Sequence, residues 1–359
     1  AGVAGALDIT ANRILGGDGS ADLNLQLNGG AASLNAAVDA QGLKVSGAAA
    51  ITLGDSVSVT NDVVLETDSL QIDAGISGNG NLEIKADTAS RDIQLGGSAA
   101  ADNTTLTIDQ AELDLISTFS QLSVGSTAAN NKVTLGVADG AAAVLPVSTT
   151  VYGSQLEVIA IDTAAGIDLG LESTSTIELG DLSLGGDLSV SSNGGIKQLA
   201  DAALLIAGDL EVSAAGDVTL QSSGSLRFGG MSNVDGSLNV IAADGIESAG
   251  SVMIAGETQL SVNADKAIEL AHGQNQFDGA LSLSGESATI HSNKTLQLDQ
   301  VALSKDLTLN VAGDIKHTTA ASIAVDGGAS LITTAAGNLT LKHAGSASID
   351  IANLTLSIA

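Results

Sequence analysis

An all-β chain is expected here, in the form of a single-stranded, right-handed parallel β-helix (a solenoid) of roughly sixteen rungs. Three observations carry that expectation. A spacing of apolar residues is written twice at an interval of 22 residues. Apolar residues make up 44% of the chain, yet only 1% are aromatic. Finally, 43 glycines accompany a single proline.

The duplicated spacing lies between Leu238 and Leu270. A shift of 22 residues carries Leu238-Asn239-Val240 onto Leu260-Ser261-Val262, Ala242 onto Ala264, Ile246 onto Ile268 and Glu247 onto Glu269. The first two apolar positions, two apart, share one face of a strand. Small and polar residues such as Ala243-Asp244-Gly245 then suit a turn. The next apolar residue opens a further strand on the same face. A rung of this kind hydrogen-bonds only to its neighbours, so a chain of 359 residues extends one coil and needs no second core. The narrow core suits Leu, Ile, Val and Ala better than rings. No strict hexapeptide repeat is present, which favours the right-handed form.

Along the chain, residues 1–95 read as strands. Leu23-Asn24-Leu25-Gln26-Leu27 and Val57-Ser58-Val59 alternate between Gly-rich turns, and the frame fits Leu7/Ile9/Leu15 and Leu43/Val45/Ile51. Residues 96–158 are less regular and hold Pro146, Tyr152, Phe119 and the run Gly140-Ala141-Ala142-Ala143. They read either as rungs with longer loops or as a loop excursion packed on one continuous β-helix spanning residues 1–359. The frame resumes at Ile159/Ile161/Ile167, Leu188/Val190/Ile196 and Leu210/Val212/Val218. It returns at Leu307/Leu309/Ile315 and Leu331/Thr333/Leu339, with a slipped copy at Leu281/Leu283/Ile290. From Leu188 onward the first positions are 22, 28, 22, 21, 26 and 24 residues apart, one expected turn per interval.

The formal charge is −29, from 41 acidic and 12 basic residues. That makes nucleic acid an improbable partner and points to solubility and resistance to lateral sticking. The chain has no cysteine, which excludes disulfides and thiolate chemistry and is compatible with bacterial export. No signal peptide opens the sequence, since Ala1-Gly2-Val3 leads straight into the repeat, and no apolar run approaches the ~18 residues of a membrane helix.

The phrases Gly186-Asp187-Leu188-Ser189-Val190, Gly208-Asp209-Leu210-Glu211-Val212 and Ala312-Gly313-Asp314-Ile315 resemble the shaft repeats of filamentous-haemagglutinin-like proteins. These are large secreted adhesins of Gram-negative bacteria, exported by two-partner secretion. The resemblance covers most of the chain. It implies a right-handed β-helical fibre at the cell surface, used for adhesion or matrix building, and an outer-membrane secretion partner. The family's Asn-Pro-Asn-Gly and Asn-Pro-Asn-Leu secretion motifs are missing, so the resemblance is to shaft.

Catalysis finds little support, and no cofactor, metal or catalytic residue is assigned. Carbohydrate-cleaving β-helices need carboxylates with a base or cation in one groove. Beyond the first rung only Arg91 and Arg227 supply guanidinium groups, and acidic pairs involving Asp73 or Asp87 arise by chance in so acidic a chain. Sugar platforms also want aromatic faces, and this chain has three Phe and one Tyr. Gly16-Gly17-Asp18-Gly19-Ser20-Ala21-Asp22 approaches a calcium-binding nonapeptide but occurs once, and reads as a turn.

His291 and His317 each lie ten residues after a first apolar position (Leu281 and Leu307) and are expected to stack in adjacent rungs. A side-chain ladder is favoured over a metal pair, since no third ligand is evident. Asn103, Asn293, Asn338 and Asn353 open Asn-x-Thr triplets, read as glycan acceptors or as chance matches. Neither end offers a helix, proline or lysine cluster to blunt an open strand edge. The chain is therefore expected to be part of something longer, or to meet copies of itself end to end.

Overall fold

Short alternating segments separated by Gly, Asn and Asp turns fold as the pattern dictates. The computed structural model describes residues 7–9, 14–15, 21–97, 104–137, 141–333, 337–341 and 348–358. Among them the strands form an all-β parallel solenoid of about fifteen turns, with one short helix, Gln110–Leu113. Two compact units divide the chain, Ala1–Gly186 and Asp187–Ala359.

In the first unit three stacks of strands share the turns. Leu7, Ala32, Ile51 and Leu70 follow one another in one stack; Val38, Val57 and Ile76 in the second; Leu23, Leu43, Val63 and Leu82 in the third. Contacts between neighbouring turns here join residues 19 or 20 apart. The inward residues are closed off completely: Leu34, Val45, Leu65, Leu82 and Ile84 are all 0% exposed. Each contributes about 1.5–3 kcal/mol of apolar burial. Farther on, Ile159 falls at a corner of the strand Gln155–Thr163 rather than in the core, and Leu156, Val158 and Ile161 take the buried positions.

The irregular region contains a strand placed out of chain order. The strand Asp92–Leu95 pairs on one edge with Lys132–Leu135 and on the other with Thr105–Ile108. Thr105–Ile108 in turn lies against Leu70–Ile72. The order in space is therefore 70–72, 105–108, 92–95, 132–135. Around this insertion Ile76 faces Ile116, Leu82 faces Leu122 and Ile93 faces Val133, a spacing of 40 residues where 19 or 20 is the rule nearby. One turn thus holds two turns' length of chain, so a count of rungs from length alone overshoots. Asp109 caps the short helix: its carboxylate accepts the Glu112 N–H while Glu112 accepts the Asp109 N–H, a reciprocal capping box.

In the second unit the turns are mostly 20 to 23 residues long. Val218, Leu238, Thr258 and Leu281 form one stack. Leu226, Ile246, Ile268 and Ala288 form the next, and Val234, Ile254 and Phe277 the third. The duplicated spacing is half right about register. Ile246 does meet Ile268, and Glu247 meets Glu269, but Leu238 meets Thr258 and Val240 meets Leu260. The two-residue discrepancy arises in the turn at 263–266, which the Lys266 N–H closes onto the Asn263 carbonyl. A slip of two keeps every inward residue inward, which is why the sequence tolerates it. Other expected intervals are corrected more sharply. Leu238 stacks on Val218 and not on Leu210, and Leu307 stacks on Ala288 and not on Leu281.

Corners lock the turns together. The Asp before an apolar strand accepts a backbone N–H from the turn above: Asp187 from Asp209, Asp217 from Ser237, Asp306 from Gly328 and Asp314 from Asn338. The Gly-Asp-apolar phrases at 186–188, 216–218 and 313–315 are therefore caps between rungs, as is Lys305-Asp306-Leu307, whereas Asp209 of Gly208-Asp209-Leu210 pairs with Arg227. Inward Ser173, Ser192, Ser222 and Ser292 each accept the N–H two residues on, turning the chain without leaving a corner amide unsatisfied.

Candidate functional site

The outer side of one stack in the second unit carries a groove. Its floor is the flat ladder of Leu238–Ala242, Thr258–Val262 and Ala280–Gly285. One wall is made by bulges. Ser282 alone faces both Asp299 and Gln300, and Asp299 alone faces residues 318–321 of the next turn. Of the extra residues, Thr319 and Ala320 are exposed while Ala321 turns back into the core, so the chain bulges outward beside the ladder. Two adjoining hollows of about 360 and 160 Å³ result, both touching Gln259, Ser282 and Gln300.

The lining mixes polar side chains with apolar surface and has no basic residue. Asn239, Gln259 and Gln300 contribute amides, Ser237, Ser282 and Thr318 hydroxyls, and Glu257 and Asp299 carboxylates. Thr318 Oγ1 donates to Asp299 Oδ1, and the Gln300 amide donates weakly to Asp299 Oδ2 and to the Ala320 carbonyl. The Gln300 N–H donates to Ser282 Oγ at 3.3 Å. The wall therefore aims the Asp299 carboxylate, while Glu257 and Gln259 stand exposed. Such a surface offers hydrogen-bond donors and acceptors and repels anions. Nothing in the spacing of apolar residues marked it, because the bulges break that spacing; the doubled polar pair Asp299-Gln300 inside an alternating run was the one available sign.

The residues singled out from sequence fall elsewhere. His291 faces Asn310 and His317 faces Leu298, on two different stacks, so the expected histidine ladder does not form. The ten-residue count started from Leu281 and Leu307, which belong to different stacks. Arg91 pairs with Asp68 and Arg227 with Asp209, in separate units. Asp73 accepts from the Gln71 amide at 2.9 Å, and Asp87 is exposed. Asn293, Asn338 and Asn353 are exposed, whereas Asn103 and residues 16–20 lie outside the described residues. Among the described residues no group of three or more His, Cys, Asp or Glu could hold a metal ion. No helix among them is long and apolar enough to cross a membrane.

Residues 166–225, 215–284 and 285–355 match, in three successive copies, the family described as repeats of unknown function (DUF5649). These segments cover more than half of the chain. It belongs to that repeat family. Each matched segment spans about three turns of the solenoid, so the family's repeat is a block of rungs. The groove lies on turns shared between the second and third copies. No curated protein and no solved structure matches the chain.

Proposed function

We propose that this chain is the structural shaft of an extracellular bacterial adhesin or surface fibre, mediating adhesion or matrix building without catalysis. The observation that carries the reading is the way the turns are tied. Backbone ladders run in parallel across successive rungs, and aspartates at the corners, Asp187, Asp217, Asp306 and Asp314, each add a cap from one rung to the next. A chain so built gains length by adding rungs and needs no cofactor to do so. Its acidic surface keeps neighbouring fibres apart. The likeness of its corner phrases to filamentous-haemagglutinin-like shafts supports a secreted or cell-surface location in a Gram-negative bacterium, and export through an outer-membrane partner.

Residues 218–237 form one clean turn, since Val218 meets Leu238, Ser225 meets Gly245 and Ser232 meets Val252. Deleting them should leave a folded chain with the same β-signature per residue. Displayed on a bacterial surface, the shortened fibre should attach as before while standing closer to the membrane. Loss of attachment on removal of a turn would overturn the reading. A second reading, a β-helical polysaccharide-degrading enzyme or tailspike, draws on the groove, where Glu257 and Asp299 line one hollow. Release of reducing sugar by the intact chain, abolished in Glu257→Gln/Asp299→Asn, would establish it in place of the shaft.

A further inference from the structure

The strand inserted out of order is fastened by one side chain from a distance. Glu112, 6% exposed, sends Oε1 to the Ile72 N–H at 2.9 Å, 40 residues away, and Oε2 to the Asp109 N–H at 2.9 Å. Ile72 belongs to the strand beneath the insertion, and Asp109 caps the helix that follows it. The carboxylate therefore ties 105–113 down onto 70–72, where the two strands lie side by side without a backbone ladder.

We propose that Glu112 is a proton-controlled latch, holding the 105–113 insertion tightly in acid and releasing it more often toward neutral pH. The charged groups that act on the carboxylate are Asp109, in its own capping box, and Asp73, which follows the strand beneath; both repel it. The other strands against it, Thr105–Ile108 and Ala143–Leu145, contain no titratable group. Burial first, and then these like charges, raise the Glu112 pKa above the ordinary carboxylate value, against the pull of its two N–H donors. A proton is then held more tightly in the folded latch than in the open one. The added stability is complete below the ordinary carboxylate pKa and is lost as pH rises through the raised one.

Opening would be local. With 105–113 released, 92–95 keeps its ladder to 132–135, while Ile76–Ile116 and Leu82–Leu122 still join the turns below and above. The stack that runs Leu82, Leu122, Thr149 stays continuous past the insertion, so the unit acquires a soft joint without a break.

Hydrogen exchange on the full chain tests this at the amides of Ile72, Gly96 and Gln110, whose acceptors are Glu112, Ile108 and Gly97. Corrected for intrinsic rates, their opening constants should rise between pH 4 and 7 by about tenfold for each pKa unit by which the fold raises Glu112. Leu122 and Val133 should not follow. Glu112→Gln should flatten the profile. In the wild type, the midpoint should coincide with the titration of the Glu112 carboxyl carbon observed by NMR. Flat wild-type profiles, an unchanged profile in Glu112→Gln, or a midpoint that misses that titration would each overturn the proposal.

Discussion

Gly216, Gly236, Gly256 and Gly279 precede four successive strands of one stack, and they show what a single hydrogen in place of a side chain permits. A Cβ on Gly256 would lie 2.6 Å from the Gly236 carbonyl carbon, where backbone cannot yield. The Gly256 N–H donates to the Gly236 carbonyl at 2.9 Å, so the close approach is itself a rung-to-rung bond. Gly256→Ala is expected to cost about 1–3 kcal/mol, as overpacking does, with the loss of protection confined to the adjoining turns in hydrogen exchange. The alternation of Leu238, Val240, Leu260 and Val262 was legible in the sequence because period two fixes the face. The neighbour across the rung was not, because Leu, Val and Thr all satisfy an inward position. That ambiguity alone misplaced His291 and His317: each was counted from a leucine of a different stack.

Single strands give the sharper test of the inward assignment. Leu260 is 0% exposed in the middle of Thr258–Val262, whereas its neighbour Ser261 faces outward into the groove. Leu260→Asp forfeits about 1.5–3 kcal/mol of burial and strands a carboxylate in the core, so it should lower the urea midpoint far more than Ser261→Asp does. Equal midpoints would reverse the assignment. The helix at Gln110–Leu113 was also written in the chain, as Asp109 followed three residues later by Glu112. The out-of-order placement before it was not. Thr105-Leu106-Thr107-Ile108 alternates like its neighbours, and alternation says which way side chains point but not which strand lies alongside.

For the chain as a whole, a formal charge of −29 adds self-repulsion to the terms that oppose folding. Of its 12 basic residues, Lys85, Arg91, Lys132, Arg227, Lys266, Lys294 and Lys305 each meet a carboxylate, leaving a large acidic excess to repel itself. Raising ionic strength from 0.01 to 0.15 M shortens the screening length from about 30 to about 8 Å. The thermal midpoint should therefore rise with sodium chloride, since exposed ion pairs lose little and the repulsion loses much. A midpoint that falls with salt would mean that the ion pairs dominate. Composition made this legible at once, whereas the groove depends on bulges that composition does not record.

The displaced strand also imposes an order in time. A coil delivered from its N-terminus can lay each new turn on the last as soon as about 20 residues have arrived. At residues 92–95 that rhythm fails, because their lower neighbour, 105–108, has yet to emerge. The gap can be filled only by threading a later segment beneath an earlier one, and the turn above must wait for residues 132–135, 40 positions on. Doubling the loop costs only about 0.6 kcal/mol in closure entropy, a minor thermodynamic penalty. Kinetically it is a checkpoint: growth of the coil halts there until some forty residues are free together, and everything downstream inherits the delay.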